Sequence, residues 1–406
     1  MIHLKLAFRN VFRNKRRTIL TLLGIICGNA AIINYLGYVN ASIWGMRESV
    51  INGQLSHIQI YKKGFLEKGV IDPYKYMIDN YEEIKKIMME DKMIVVMAPR
   101  ISFSGIIASN DISTIFTGEG VDPQYDNKIT SYINISEGRD LVPTDQNAVV
   151  LGIGLAAGMQ AATGSMLTLL TSTRAGGLNA IDIQVEGIMQ SGIKDYDNVF
   201  LKLPLQTVQK LLNTKAVTRL FVLIDKTENT ELVAAKMKKL IQEKKLDLEI
   251  KTWDELATTF HAVVKILYDF FYFVAIIIIL IVIFSITNTL TMSVMERIDE
   301  IGTIRAIGAT KKNVMNLFTI EGVIIGLAGA LIGLVIGIII SKIINVLGLQ
   351  MSPPPGSNKG YPFLIFINYW QVLICLVVTV GIAILTSLLP ARKASKISII
   401  KALGHI

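Results

Sequence analysis

The four most hydrophobic of the long charge-free stretches of the chain lie between Arg17 and Arg47, Asp269 and Glu296, Glu321 and Lys342, and Lys359 and Arg392. Crossing a bilayer core about 30 Å thick takes about 20 mostly apolar residues in a helix. Each stretch therefore predicts one membrane span, at roughly 19–39, 270–293, 322–341 and 370–389. The first is too long for the apolar core of a signal peptide, and no small-residue cleavage site follows it, so it is expected to be retained.

From residue 55 to 252 the pattern shortens. Apolar alternation predicts strands at His57–Tyr61, Met93–Ala98, Ser104–Ala108, Ser113–Thr117, Ala148–Leu151, Ser165–Leu170, Ile181–Glu186, Val199–Leu203 and Leu220–Ile224. Helical spacing predicts helices at Met77–Glu90, Gly154–Gln160, Leu205–Leu212 and Glu231–Lys244. Strands mixed with helices imply an α+β domain. No Gly or Pro occurs from Leu205 to Ile301, and one helix over Trp253–Met295 would have 43 residues, about 65 Å at 1.5 Å each. Such a helix would extend the second span outward as a stalk.

Composition agrees with a membrane protein. Hydrophobic residues are 51% and charged residues 18% of the 406, and mean hydropathy is +0.49, too apolar for a soluble chain. The net charge of +9 sits at the ends: Lys5, Arg9, Arg13, Lys15, Arg16 and Arg17 at one, Arg392, Lys393, Lys396 and Lys401 at the other. No basic domain is left for nucleic acid. Basic flanks stay cytoplasmic, so both termini and the loop 294–321 are expected inside, and 40–269 and 342–369 outside.

Catalytic signatures are scarce. Gly152-Ile-Gly154-Leu-Ala-Ala157 fits a dinucleotide fingerprint but lacks the acidic residue about 20 positions on, so a tight strand-to-helix turn is expected. His3, His57, His261 and His405 are too scattered for a zinc site. Cys27 and Cys375 lie in apolar runs, so no bridge is expected. No segment reads G-x-x-x-x-G-K-[ST], which leaves nucleotide binding to a partner. Gly322, Gly326, Gly329, Gly333 and Gly337, with Gly24 and Gly28, predict close helix packing. Asn29, Asn34 and Asn288, at membrane depth, predict hydrogen bonds between helices. Leu4, Phe8, Val11 and Phe12 share one helical face with Lys5, Arg9, Arg13 and Arg16 around the other, an amphipathic helix on anionic lipid.

The segment Met295 to Val314 is the most informative. Ile298, Ile301 and Ile304 repeat every three residues, Glu296, Glu300 and Arg305 project elsewhere, and Ile307-Gly-Ala309 breaks the helix before the third span. Glu300 and Arg305 are five apart, a poor pair on a helix, so each is expected to be free for a partner.

This segment resembles the signature of FtsX-like ABC transporter permeases in Glu300, Ile301, Gly302, Arg305, Ala306, Ile307, Gly308, Ala309, Phe318, Glu321 and Gly322. The resemblance extends to the basic start ending at Arg17 and to the close from Pro390 to Leu403, where a proline common in the family is replaced at Ile399 or Ile400. The one-plus-three spans look like the lipoprotein-releasing and macrolide-exporter branches. The resemblance implies an α-helical membrane protein with four transmembrane helices and a large α+β extracytoplasmic domain inserted between helices 1 and 2. The parts would be an interfacial helix (1–17), first transmembrane helix and stalk (18–43), periplasmic domain (44–252), stalk and second helix (253–295), coupling helix (296–315), third helix (316–341), periplasmic loop (342–369), fourth helix (370–391) and tail (392–406).

It further implies a non-catalytic inner-membrane subunit with no cofactor of its own. ATP and Mg would be bound by a cytoplasmic ATPase dimer, which meets Glu296, Arg297, Glu300, Ile301, Gly302, Arg305, Ala306, Gly308 and Ala309. A second copy or related permease, membrane lipids and a periplasmic carrier would be the other partners. In the lipoprotein-releasing branch a hook hairpin captures the carrier; the corresponding loop here, Ser172–Ala180, is short and lacks proline. Ile32, Leu36, Phe273 and Ile277 would line a substrate groove between the first two spans. Extraction of lipoprotein or another amphiphile is the implied function. Macrolide-type efflux, or regulation of an outside enzyme without transport, are the alternatives.

Overall fold

The computed structural model describes residues 2–11, 13, 15–69, 71–109, 112–351 and 361–397. The chain forms two compact units: residues 1–44, 263–350 and 362–406, and residues 45–262 with 351–361.

The second unit is built on one sheet. Its strands among the described residues are β1 (Ile58–Lys62), β2 (Ile94–Ser109), β3 (Ile112–Val121), β4 (Asn134–Gly138), β5 (Ala148–Gly152), β6 (Met166–Ser172), β7 (Leu178–Gln190), β8 (Phe200–Pro204), β9 (Arg219–Ile224) and β10 (Leu248–Thr252). The order is β10-β1-β9-β2-β3-β8-β5-β7-β4, with β6 against β2 and β7. Only β3–β8 and β5–β7 are parallel among these pairs. Helices Tyr81–Met88, Leu205–Leu211 and Thr230–Glu243 bury Ile84, Val208, Val233 and Met237 in the sheet's main core.

Two expected strands, Met93–Ala98 and Ser104–Ala108, are one. Pro99 suggests a break, but the ladder to β3 starts at Arg100, so Pro99 lies just outside it, where no donor is required on that side. Pairing with β9 carries the strand through Pro99. The strands not expected from the sequence, β4 and β10, are the two ends of the sheet. β4 is largely polar, as edge strands often are, which hides its pattern, whereas β10 does alternate, with Leu248 and Ile250 between Glu249 and Lys251.

Gly152 and Gly154 form a tight turn from β5 into the helix Ile153–Gly158. A Cβ on Gly152 would lie 2.3 Å from the Asp197 carbonyl, and one on Gly154 would lie 2.0 Å from Asn198 Oδ1. The β6–β7 hairpin closes through Thr173 N–H donating to the Gly177 carbonyl at 2.7 Å.

A buried charge cluster lies beneath the sheet. Asp126, on the helix Pro123–Ile129, accepts from Arg100 and from Lys202 Nζ at 2.7 Å; Lys202 also meets Asp140 at 2.7 Å, and Glu119 pairs with Arg100 and Arg219. Burial alone would raise the Asp126 pKa, but the Arg100 and Lys202 charges hold it at about 2.

The expected helix over Trp253–Met295 is two. Trp253–Leu256 is a short turn capped by Thr252, Ala257 leaves helical geometry (φ −83°, ψ 55°), and the long helix runs Thr258–Met295. Trp253 packs edge-on to Phe260 with ring centroids 5.4 Å apart, and Ala257 is buried. Packing makes this break without Gly or Pro.

Among the described residues, four helices are long and apolar enough to cross a membrane: Lys15–Leu55, Thr258–Met295, Lys311–Leu347 and Tyr369–Ser395. In the first unit the third helix is the hub. A Cβ on Gly322 or Gly326 would lie 2.5 Å from Ser387 Cβ or 2.3 Å from Ala383 Cβ of the fourth helix. On Gly329 or Gly337 it would lie 2.7 Å from Ile25 or 2.6 Å from Ile33 of the first. Gly28 meets Ile278 of the second helix in the same way, at 3.0 Å. These are the close approaches that small residues permit.

Asn29 and Asn34 make the expected bonds between helices. Asn29 Oδ1 accepts from Thr379 Oγ1 at 2.7 Å, and Asn34 Nδ2 donates to the Gly337 carbonyl at 3.1 Å. Asn288 instead faces outward, exposed. Both cysteines are free. The N-terminal helix Ile2–Val11 exposes Phe8 and Arg9; Phe12, and the side chains of Leu4, Lys5 and Val11, lie outside the described residues, as do His405, Ile399 and Ile400.

Candidate coupling segment and membrane groove

The second long helix ends at Met295, and Arg297, in non-helical geometry, starts a nine-residue helix Ile298–Ala306. Ile301 drops into a small core of Val294, Val314, Phe318, Ala391 and Ala394, while Ile304 stays largely exposed. The helix ends at Ile307, and Gly308 takes φ +109°, which L side chains rarely adopt. A Cβ there would meet nothing within 4 Å, so glycine is required by the backbone and not by space. Thr310 then caps the third helix, its hydroxyl accepting from Asn313 N–H at 3.2 Å. Ile307 is left 82% exposed at the tip.

Charge fixes this short helix in place. Arg297, only 6% exposed, donates from Nη1 to Glu321 at 2.8 Å and from Nε to Glu300 at 2.8 Å, with its guanidinium 5.4 Å from the Phe318 ring centre. Glu321 is 2% exposed. Burial alone would lower the Arg297 pKa, but the Glu321 and Glu300 carboxylates raise it. For Glu300 burial works upward, and hydrogen bonds from Arg297 and Arg13 outweigh it and lower the pKa.

Glu300 and Arg305 are therefore not free, contrary to expectation. Glu300 is held by Arg297 and Arg13, and Arg305 donates to the Ile397 carbonyl. Five-residue spacing excludes a pair between them but leaves each open to other segments. Glu296 pairs with Arg17 at 2.7 Å. Gly302 is buried, Ala306 and Gly308 are exposed, and Ala309 is half-buried with its N–H on the Ile304 carbonyl at 3.1 Å. Sequence reasoning missed Asn10, Arg13 and Arg17 as parts of this site. Their one signal, basic spacing, reads equally well as lipid contact.

A cavity of about 310 Å³ lies among the first, second and fourth helices. Ile32 and Leu36 line it as expected; Phe273 and Ile277 do not, being 62% and 43% exposed. The second helix contributes Phe271, Ala275 and Ile279 instead. Phe273 and Ile277 stand two residues from the first two of these, about 200° round the helix. Val378 and Cys375 of the fourth helix complete the wall, and Cys375 Sγ donates to Asn29 Oδ1 at 3.2 Å.

Four apolar helices, an α+β domain inserted after the first, and a charged turn between the second and third are the arrangement of a membrane-embedded subunit with a large domain outside the helices. A family model described as the MacB-like periplasmic core domain matches residues 18–240, and one described as the FtsX-like permease C-terminal matches residues 272–399, which includes the coupling segment. The chain belongs to the FtsX-like ABC transporter permeases, of the LolC, LolE and MacB type.

The lipoprotein-releasing system transmembrane protein LolC of Neisseria meningitidis serogroup B is 22% identical, covering 96% of this chain and 94% of that protein. An ABC transporter permease of Methanocaldococcus jannaschii is 25% identical, covering 98% and 96%. The macrolide export ATP-binding/permease protein MacB of Psychrobacter arcticus is 24% identical, covering 97% of this chain and 58% of that protein.

Proposed function

We propose that this chain is the non-catalytic subunit of an ATP-driven transporter that draws a lipid-anchored or amphiphilic molecule from the inner membrane toward the periplasm. ATP and Mg are bound by a separate cytoplasmic ATPase dimer, and the unit contains two permease subunits. Both termini are cytoplasmic, as the basic flanks require.

The cavity of about 310 Å³ carries this reading. It is at the lower end of ligand-site volumes, about 300–1,000 Å³, and such sites are mostly apolar with a few placed polar groups. Here the polar group is Asn29, held by Thr379 and Cys375. Lipid tails are as apolar as such a groove, so an acyl chain passes from the bilayer into it at little cost, whereas moving it on into water costs about 0.8 kcal/mol per CH₂ and needs work. The work enters at Ile298–Ala306, where exposed Ile307 offers the ATPase an apolar contact.

Photo-crosslinkers at Leu36, Ala275 and Val378 test this in the complex with its ATPase. They should label a diacylated peptide before ATP is added and lose the label afterwards, whereas Phe273 and Ile277 should label bulk lipid with or without ATP. ATP-insensitive labelling at all five positions would sink the proposal. The match of residues 18–240 to the MacB-like core favours a second reading, efflux of a small amphiphile. Protection by a macrolide but not by the diacylated peptide would select it.

A further inference from the structure

Six charged side chains and one amide cluster at the base of the first unit, as a linked set of five, Asn10–Glu321–Arg297–Glu300–Arg13, and the neighbouring pair Arg17–Glu296. Arg13 pairs with Glu300, Arg17 with Glu296 at 2.7 Å, and Asn10 Nδ2 donates to Glu321 at 2.8 Å. Arg297 joins the first and third of these contacts by donating to Glu300 and Glu321 at 2.8 Å each. Three arginines face three glutamates, so the cluster is neutral and has no excess charge to hold an anion. Every carboxylate in it receives a bond from the N-terminal segment, residues 10–17.

The neighbours of these residues behave differently. Arg9, Lys15 and Arg16 are exposed, as residues serving a lipid surface would be, whereas Arg17, next to Arg16, turns inward. An isolated exposed pair contributes little because two long side chains must be ordered for it. Arg13 meets Glu300, which the buried Arg297 already holds, so less order remains to be imposed there, and Arg17 meets Glu296 in the turn that leads into the short helix.

We propose that Arg13 and Arg17 are positioning residues that tie the start of the first long helix to the short helix Ile298–Ala306, so that displacing the short helix displaces the first membrane span. This rests on the proposed transport function, in which the short helix receives the push. The first span supplies Ile32 and Leu36 to the groove, so the tie gives the push a route to the groove wall through a helix the short helix does not follow in sequence.

The full-length chain, with Cys27 and Cys375 replaced by alanine and a nitroxide on Ile307→Cys, tests the tie without any ATPase. Label mobility should rise in Arg17→Glu and in Glu296→Arg, return in the double swap, and stay unchanged in Arg16→Glu, a matched charge reversal on the exposed face. Equal effects of Arg16→Glu and Arg17→Glu, or no recovery in the swap, would show that these charges act on lipid or bound anion and overturn the proposal. In the complex with its ATPase, stimulation of hydrolysis by a diacylated peptide should fall roughly 3- to 10-fold in each single variant, the range expected within one charge network, and recover in the swap. Stimulation absent from the unsubstituted complex would count against the transport reading, and the label would still decide the tie. A normal stimulation ratio in both single variants, with a mobile label, would overturn the transmission.

Discussion

Two charge clusters organise this molecule, and they are built differently. Around Asp126, the partners lie on one sheet, on the helix Pro123–Ile129 and, for Asp140, in the loop after β4, and Arg100, Asp126 and Lys202 are each 2% exposed. Around Arg297 the partners come from four parts of the chain: the N-terminal helix and the turn after it, the start of the first long helix, the turn and short helix that follow the second, and the third long helix. There only Arg297 and Glu321 are buried, while Arg13 and Glu300 remain 47% and 44% exposed. The first arrangement holds a shape. The second joins parts that can separate, because water can replace an exposed carboxylate's partner but not a buried one's.

The largest expected effect follows from the sealed cluster. Asp126→Ala leaves Arg100 and Lys202 buried without their shared counter-charge, and breaking such a pair costs about 3–5 kcal/mol. Thermal unfolding of the full chain in detergent, with hydrogen exchange at residues 123–129, should record it. The same cluster should be acid-labile. With the Asp126 pKa near 2 when folded and about 3.9 unfolded, its stabilisation is complete above about pH 4 and is lost as pH falls toward 2. The slope of unfolding free energy against pH in that window should shrink in Asp126→Asn.

In the open cluster, Glu321→Ala should cost about 3 kcal/mol, since Arg297 is then buried with only Glu300 left. A loss equal to that of Arg13→Ala would remove the distinction drawn here between buried and exposed members. Gly308→Val should cost about 1–3 kcal/mol from backbone strain alone; Gly308→Asn, which tolerates this backbone better, should cost less. The smallest effect is expected at Arg13→Ala, within about 1 kcal/mol of wild type in stability, with the loss appearing instead in stimulated hydrolysis.

The same contrast explains what could be read from sequence. Charge-free runs dense in large apolar residues mark the membrane helices, and the glycine spacing of the third helix marks its packing, because both are local patterns. The edge strand β4 carries no such pattern because it is largely polar, whereas β10 alternates but over only five residues. The break at Ala257 was invisible because it comes from Trp253 and Phe260 packing and not from a helix-breaking residue. In the coupling segment the residues were legible but their partners were not. Helical spacing places Glu300 and Arg305 on different sides, and only the fold brings Arg13 and the Ile397 carbonyl to meet them. The groove was half legible: Ile32 and Leu36 face it, whereas Phe273 and Ile277 fail because an all-apolar helix gives no clue to which face is inward.

The place of β1 in the sheet bears on how the protein is made. β1 lies between β9 and β10, so the first strand to leave the ribosome pairs only with the last two. At about 5–20 residues per second, synthesis from β1 to β9 takes roughly ten to thirty seconds. Through that interval the first membrane helix is already inserted, while Ile58 and Ile60, wholly buried in the finished domain, have no strand beside them. The nascent domain thus needs protection from pairing with a neighbouring chain until β9 arrives, and a pause in translation before residue 219 would lengthen the exposure while one after residue 252 would not.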